Sequence, residues 1–128
     1  QEFNIYAGPK KVLEESIGLF YDVANDNNRD VTKLEVSTAC PPVVGFTKDE
    51  VDQSLVDAAK SLIQPKDEIA KNWKDRSYLY GTPEEIAETI GMWKDAGIQS
   101  VYLQLLDLDK NKRENDIEVI RKAVQLAS

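Results

Sequence analysis

The sequence predicts an α/β fold, with parallel strands lying under helices. Some segments repeat apolar residues every three or four positions, and others alternate them at period two. The two kinds of segment interleave along the chain, as strand-helix-strand units require. One segment, "SVYLQLL" from Ser100 to Leu106, has almost no polar relief, which is typical of a strand buried on both faces in a parallel sheet.

The first strand is a stub in which Phe3, Ile5 and Ala7 alternate with Asn4 and Tyr6. Gly8-Pro9 punctuates it, and Pro9 suits a first helical turn, where a missing amide proton costs nothing. Val12, Leu13, Ile17, Phe20, Tyr21 and Ala24 then form one helix face, and the polar run "NDNNRD" stops it near Asn25. A strand is expected from about Lys33 to Cys40, because Leu34, Val36 and Thr38 alternate with Glu35 and Ser37. Pro41-Pro42 ends its regular pairing or diverts it, and Val43 and Val44 prolong the apolar run.

Thr47 followed three residues later by Glu50 is a capping box, opening a helix with Val51, Leu55, Ala58, Ala59 and Leu62 on its buried stripe. Pro65 breaks it. Residues 64–79 read as a helical insert with Ile69 and Trp73 one turn apart; a simple crossover does not need it. Thr82 and Glu85 repeat the cap, Pro83 takes the first helical position, and Ile86, Ile90 and Trp93 face one way. Gly97 stops this helix by going left-handed. "SVYLQLL" follows, and a last helix is expected to bury Ile117, Ile120 and Val124, with Leu126 or Ala127, after a cap at Asn115 or Asp116. Both edges of such a small sheet would be open, and so apolar a terminal strand calls for self-association or a larger closed sheet.

Composition narrows the function. The 128 residues make one module, 1–128, and 41% of them are apolar, a normal globular share. The net charge of −7 argues against a nucleic-acid backbone as partner. There is no apolar membrane-length span or signal segment, and the chain reads as cytoplasmic. The absence of histidine removes Ser-His-Asp and Cys-His chemistry and every histidine metal site. A single cysteine, Cys40, excludes an internal disulfide. Asp107, Asp109, Asn111 and Glu118 have calcium-loop spacing, but Lys112 stands where the loop needs glycine, so no metal site is expected. Glu84 and Glu85 lie in a first helical turn, where negative charge is locally favourable, and are read as structural.

Three segments in series, "EFNIYAGP", "VSTACPPVVGFTKDEV" and "YGTPEEIAETIGMWKDAGIQSVYLQLLDLD", resemble the carboxyl-terminal third of the luciferase-like monooxygenase family. The most specific stretch is Gly81-Thr82-Pro83-Glu84-Glu85 with Asp95-Ala96-Gly97 and the strand Val101 to Leu105. The resemblance implies part of a (β/α)8 barrel that uses reduced FMN or F420. Phe3 to Tyr6 would end strand six, Leu34 to Cys40 would be strand seven, Val101 to Leu106 would be strand eight, and the helix after Asp116 would close the barrel. A whole barrel takes roughly 250 residues. The first five strands, with most flavin contacts, would lie elsewhere, so neither cofactor is expected to bind this chain tightly by itself. The expected partner is the missing amino-terminal barrel portion or a second copy.

Chemistry in such barrels gathers at the carboxyl ends of the strands. That places Tyr6 and Cys40 as candidates to line a cofactor or substrate pocket, and Gln104, the odd polar residue inside the last strand, joins them as an amide that could bind the polar edge of a flavin; no catalytic residue is assigned. Each has a plainer reading: an aromatic plug for Tyr6, a packing residue for Cys40, and a buried amide bonded to neighbouring strands for Gln104. The function expected is a structural share of the barrel and pocket wall in a flavin- or F420-dependent oxidoreductase or monooxygenase, inactive alone. The alternatives are a non-catalytic α/β scaffold or assembly module that associates through open sheet edges, and a rearranged small domain that folds alone.

Overall fold

The computed structural model describes residues 2–105 and 109–128. Its elements are β1 (Glu2–Tyr6), α1 (Lys10–Asp26), a 3-10 turn (Val31–Lys33), β2 (Glu35–Cys40), β3 (Val43–Val44), α2 (Lys48–Leu62), α3 (Lys66–Asp75), β4 (Tyr80–Gly81), α4 (Pro83–Ala96), β5 (Ser100–Leu103) and α5 (Lys110–Leu126). The expected end of the last strand at Leu106 lies outside the described residues.

The main sheet has the order β1-β2-β5, parallel throughout. Phe3 pairs with Val36 and Ile5 with Thr38, which pairs in turn with Val101; Cys40 pairs with Leu103. Side chains alternate across a strand, so these residues share one face. They meet α1 and α4 in a core that includes Leu13, Ile17, Val36, Ile86 and Trp93. Thr38 survives in that core because its hydroxyl donates to the Ile5 carbonyl at 2.7 Å. Gln99 clasps the start of β5 to β2: its N–H donates to the Val36 carbonyl and its Oε1 accepts from the Val36 N–H, both at 2.8 Å.

The double proline acts on the strand differently from a simple stop. Neither proline carries an N–H, so β2 cannot continue its ladder through them. The chain bends instead and restarts as β3, which pairs parallel with β4. Neither short strand is among the elements expected from the sequence, where Val43 and Val44 only prolong an apolar run. The two strands seat α2 and α3, whose Leu55, Ala58, Ile69 and Trp73 pack with Val43 in a second, smaller core. α3 is therefore a structural prop, and its Trp73 indole donates to the Pro41 carbonyl at 2.7 Å.

The helix signals behave as the sequence predicts at α2, where Thr47 and Glu50 form the reciprocal box. At α4 the Glu85 carboxylate accepts from both the Thr82 N–H and its hydroxyl. Gly97 ends α4 at φ 109°. Two expectations for α5 need correction. Its cap is Asp109, which accepts from the Asn111 and Lys112 N–H groups, so the helix begins well before Asp116. Its buried stripe is Asp116, Val119, Ile120 and Ala123. That stripe is the one turned towards α4, and it leaves Ile117, Val124 and Leu126 exposed.

The apolar last strand also departs from expectation. β5 is an edge strand with only β2 beside it among the described residues. Val101, Leu103 and Leu105 are half-buried and Tyr102 is 53% exposed, so neither face is fully covered.

Gly97 gives a test of the α4 stop. An added Cβ would meet only Ile17 methyl carbons at 3.6 Å, an ordinary contact, so Gly97→Ala probes backbone conformation rather than space. The left-handed conformation predicts a loss of about 1–2 kcal/mol, read as a lower urea midpoint at unchanged slope.

Candidate functional site

The carboxyl ends of β1, β2 and β5 form a crest. The Gln104 N–H donates to the Cys40 carbonyl at 3.1 Å, extending the β2–β5 ladder one residue past the strand. Tyr6 stands in register with Ala39, and Ala39 with Tyr102. Period-two alternation puts Asn4, Tyr6, Ser37, Ala39, Ser100, Tyr102 and Gln104 on the face opposite the helices. Tyr6 is 90% exposed there, and Gln104 is exposed too, not the buried amide that its apolar neighbours suggested.

Cys40 points the other way. It is fully buried in the helix-side core, where its sulfur accepts from the Leu79 N–H at 3.3 Å. Burial pushes the thiol up to about 12, only partly offset by that hydrogen bond. The structure therefore brings Tyr6 and Gln104 to one face of the crest and separates Cys40 from them. Beside Cys40, the bonds before Pro41 and Pro42 are both trans. The Trp73 bond fixes the Pro41 carbonyl, so the crest is held rigidly from behind.

Below the crest lies a polar layer that sequence reasoning missed. Glu2 and Glu35 are directly opposite in the β1–β2 register. The Tyr102 hydroxyl donates to Glu2 at 2.7 Å, and Ser100 donates to Glu35 at 2.7 Å. Alternation could have put Glu2, Glu35 and Tyr102 on an outward face, but only the register brings them together across three strands.

On the helix side a trough of about 740 Å³ runs beside β5, lined by Val101 and Leu103, by Ile90 and Trp93 of α4, and by Ile120 and Val124 of α5. It exists because α5 packs on α4 and leaves the outer flank of β5 bare.

A third cluster joins α5 to α2. The Lys112 ammonium donates to Ser54 Oγ at 2.6 Å and lies 3.7 Å from Asp57, and the Ser54 hydroxyl donates to the Val44 carbonyl at 2.7 Å. It is a clasp, and it accounts for a lysine inside the apparent calcium spacing. Asp107, the first position of that spacing, lies outside the described residues. Among the described residues no group of three acidic, cysteine or histidine side chains is placed to hold a metal ion, and no helix is long and apolar enough to cross a membrane.

These features define the class of fold: parallel strand-helix units with one sheet face covered and the other open, as in part of a barrel. No family model matches the chain, and no curated protein matches it. Among solved structures it is similar to an F420-dependent secondary alcohol dehydrogenase in complex with an F420-acetone adduct, at a TM-score of 0.62 and 20% identity. The match covers 95% of this chain and 42% of that one, so the chain spans less than half the length of the structure it resembles. The likeness establishes the fold, a partial barrel.

The buried thiol yields a pH prediction. Its native pKa lies above the unfolded value near 9, so the neutral thiol contributes stability that is complete below pH 9 and is lost as pH rises from about 9 to about 12. Cys40→Ala should therefore flatten the alkaline fall in unfolding free energy relative to wild type. Thiol-specific reagents at pH 8 should label the native chain on the order of a thousandfold more slowly than the urea-unfolded chain.

Proposed function

We propose that this chain is the carboxyl-terminal wall of a (β/α)8 oxidoreductase barrel that uses F420, or a flavin, supplied with its cofactor contacts by further strand-helix units. One observation carries the reading: the uncovered surface falls where such units would attach. Exposed large apolar side chains concentrate on the two flanking helices, with Val12, Leu19 and Val23 on α1 and Ile117, Val124 and Leu126 on α5. α4, packed between those two helices, exposes none. Among the described residues the two flanking strands each have an open edge, and the trough runs along one of them.

The similar alcohol dehydrogenase is F420-dependent, which favours F420 over FMN. A redox cofactor would supply the electron chemistry, and this wall would set pose and exclude water. Tyr6 and Gln104 are its contact residues at the strand ends. Cys40 is a packing residue behind them. A luciferase-like monooxygenase reaction is the FMN version of the same proposal.

The same open edges also suit a non-catalytic assembly module, and one experiment separates the two. F420 and FMN are titrated into the pure chain, and into the chain mixed with the strand-helix units that complete the barrel, while fluorescence and solution mass are followed. The oxidoreductase reading expects weak or no binding by the chain alone and binding by the completed barrel, weakened about tenfold by Tyr6→Ala or Gln104→Ala through loss of a contact worth roughly 1.4 kcal/mol. A completed barrel that ignores both cofactors leaves the assembly module. A chain that stays monomeric at every concentration, with slow amide exchange along both outer strands, overturns both.

The flanking stripes can be tested directly. Leu19→Glu and Val124→Glu alter exposed positions, so the helical signal in circular dichroism should be retained. Either change should weaken association by at least about tenfold in sedimentation equilibrium, since burying an unpaired carboxylate in an apolar contact is costly.

A further inference from the structure

The open sheet face carries an acidic rung that the described residues leave without a counter-charge. Glu2 and Glu35 share one register position on adjacent strands, roughly 4.8 Å apart. Like charges directly opposite each other destabilise a sheet. Each carboxylate is met by a neutral hydroxyl: Tyr102 reaches Glu2 at 2.7 and 3.1 Å, and Ser100 reaches Glu35 at 2.7 Å. Among the described residues neither glutamate takes part in an ion pair.

A second observation points to the same place. Ser37, in register between Asn4 and Ser100 on this face, is fully buried, and its Oγ has no partner. Tyr102 starts on β5 and ends on Glu2 of β1, so its ring spans β2 on this face. The hydrogen bond to Glu2, then the Glu2 charge, partial desolvation and the Glu35 charge hold the Tyr102 phenol above its ordinary value, a sign of negative potential over the rung. The chain as a whole has 23 acidic against 16 basic residues, so electrostatic complementarity favours a basic partner surface.

We propose that this rung receives one basic side chain, lysine or arginine, carried by the strand-helix units that complete the barrel. The inference rests on the barrel reading above and adds the chemistry of the contact. An ammonium offers three donors and a guanidinium five, enough to serve both carboxylates at once. Arginine is the better fit, because its planar fork pairs two carboxylates with fixed geometry. The rung lies at the amino-terminal ends of the strands, away from the crest. It selects the partner and its register rather than the ligand.

The test uses two synthetic peptides with the same alternating apolar strand sequence, one with arginine and the other with neutral citrulline at the central polar position. Each is titrated into the full chain at low salt, with the Tyr102 ring and the Ser37 amide followed by NMR. The arginine peptide should bind at least tenfold more tightly and shift both signals. That advantage should vanish in the Glu2→Gln/Glu35→Gln double variant and shrink as salt is added. Equal binding of the two peptides overturns the basic contact and leaves barrel completion standing, because both still pair with a strand edge. Binding of neither overturns the contact and counts against the barrel reading as well. The double variant, relieved of repulsion, should melt no lower than wild type without peptide. A lower melting temperature means that the glutamates are already satisfied, and it overturns the proposal.

Discussion

A strand needs a neighbour on each side to satisfy its backbone, and a parallel sheet also needs cover on both faces. Among the described residues of the main sheet, β2 alone has both neighbours. The consequences can be read along it: Val36, Ser37, Thr38 and Cys40 are all fully buried, although two of them are hydroxyl residues. β1 and β5 have one neighbour each, and α1 and α5 are covered on their inner sides only. Burial thus falls away from the centre of the sheet in both directions. That gradient explains why β5, the most apolar of the three main-sheet strands in composition, is among the less buried.

The same constraint shapes the crest. Two prolines end the β2 ladder and force a bend, and the bend is held by β4, α3 and the Trp73 indole. Rigid backing of this kind suits a binding wall, because ordering entropy is met on folding rather than at the moment of binding. It also limits what the wall can do. With its thiol turned inward and raised to about 12, and no imidazole in the chain, the crest offers an amide, a phenol and backbone groups. Such groups can orient and hydrogen-bond a ligand; in the oxidoreductase proposed above, the electrons would come from a cofactor.

Much of the fold was legible in the sequence because it rests on local chemistry. Capping boxes, the proline at the start of α4 and the left-handed glycine at its end depend on residues a few positions apart. What was not legible depends on who stands opposite whom. The two-residue strands β3 and β4 are too short to show periodicity. The buried stripe of α5 is chosen by α4, and Ile117 and Val124 are equally apolar alternatives. At the candidate site, the sequence alone places Tyr6 and Cys40 at strand ends and Gln104 inside the last strand. It leaves their facing open: Cys40 differs from the other two because register assigns it to the helix side. The glutamate rung is a still purer case, since it brings together residues 33 and 100 positions apart.

The composition of the open face separates two kinds of completion. A sheet that buries its second face against another copy in a dry core needs apolar residues there. Here that face presents Glu2, Asn4, Glu35, Ser37, Ser100 and Gln104, with Tyr6 and Tyr102 as its large aromatic groups. The apolar surplus sits instead on the outer flanks, along α1, α5 and the trough beside β5. In the barrel proposed above, association driven by apolar burial would run sideways, strand edge to strand edge and helix to helix. Under that proposal the polar face would be enclosed last, by curvature, as the interior of a closed barrel, where each charge brought in needs an opposite one from across the lumen. A flat sandwich of two copies would bury the glutamates of both against each other, a penalty that the proposed closure avoids.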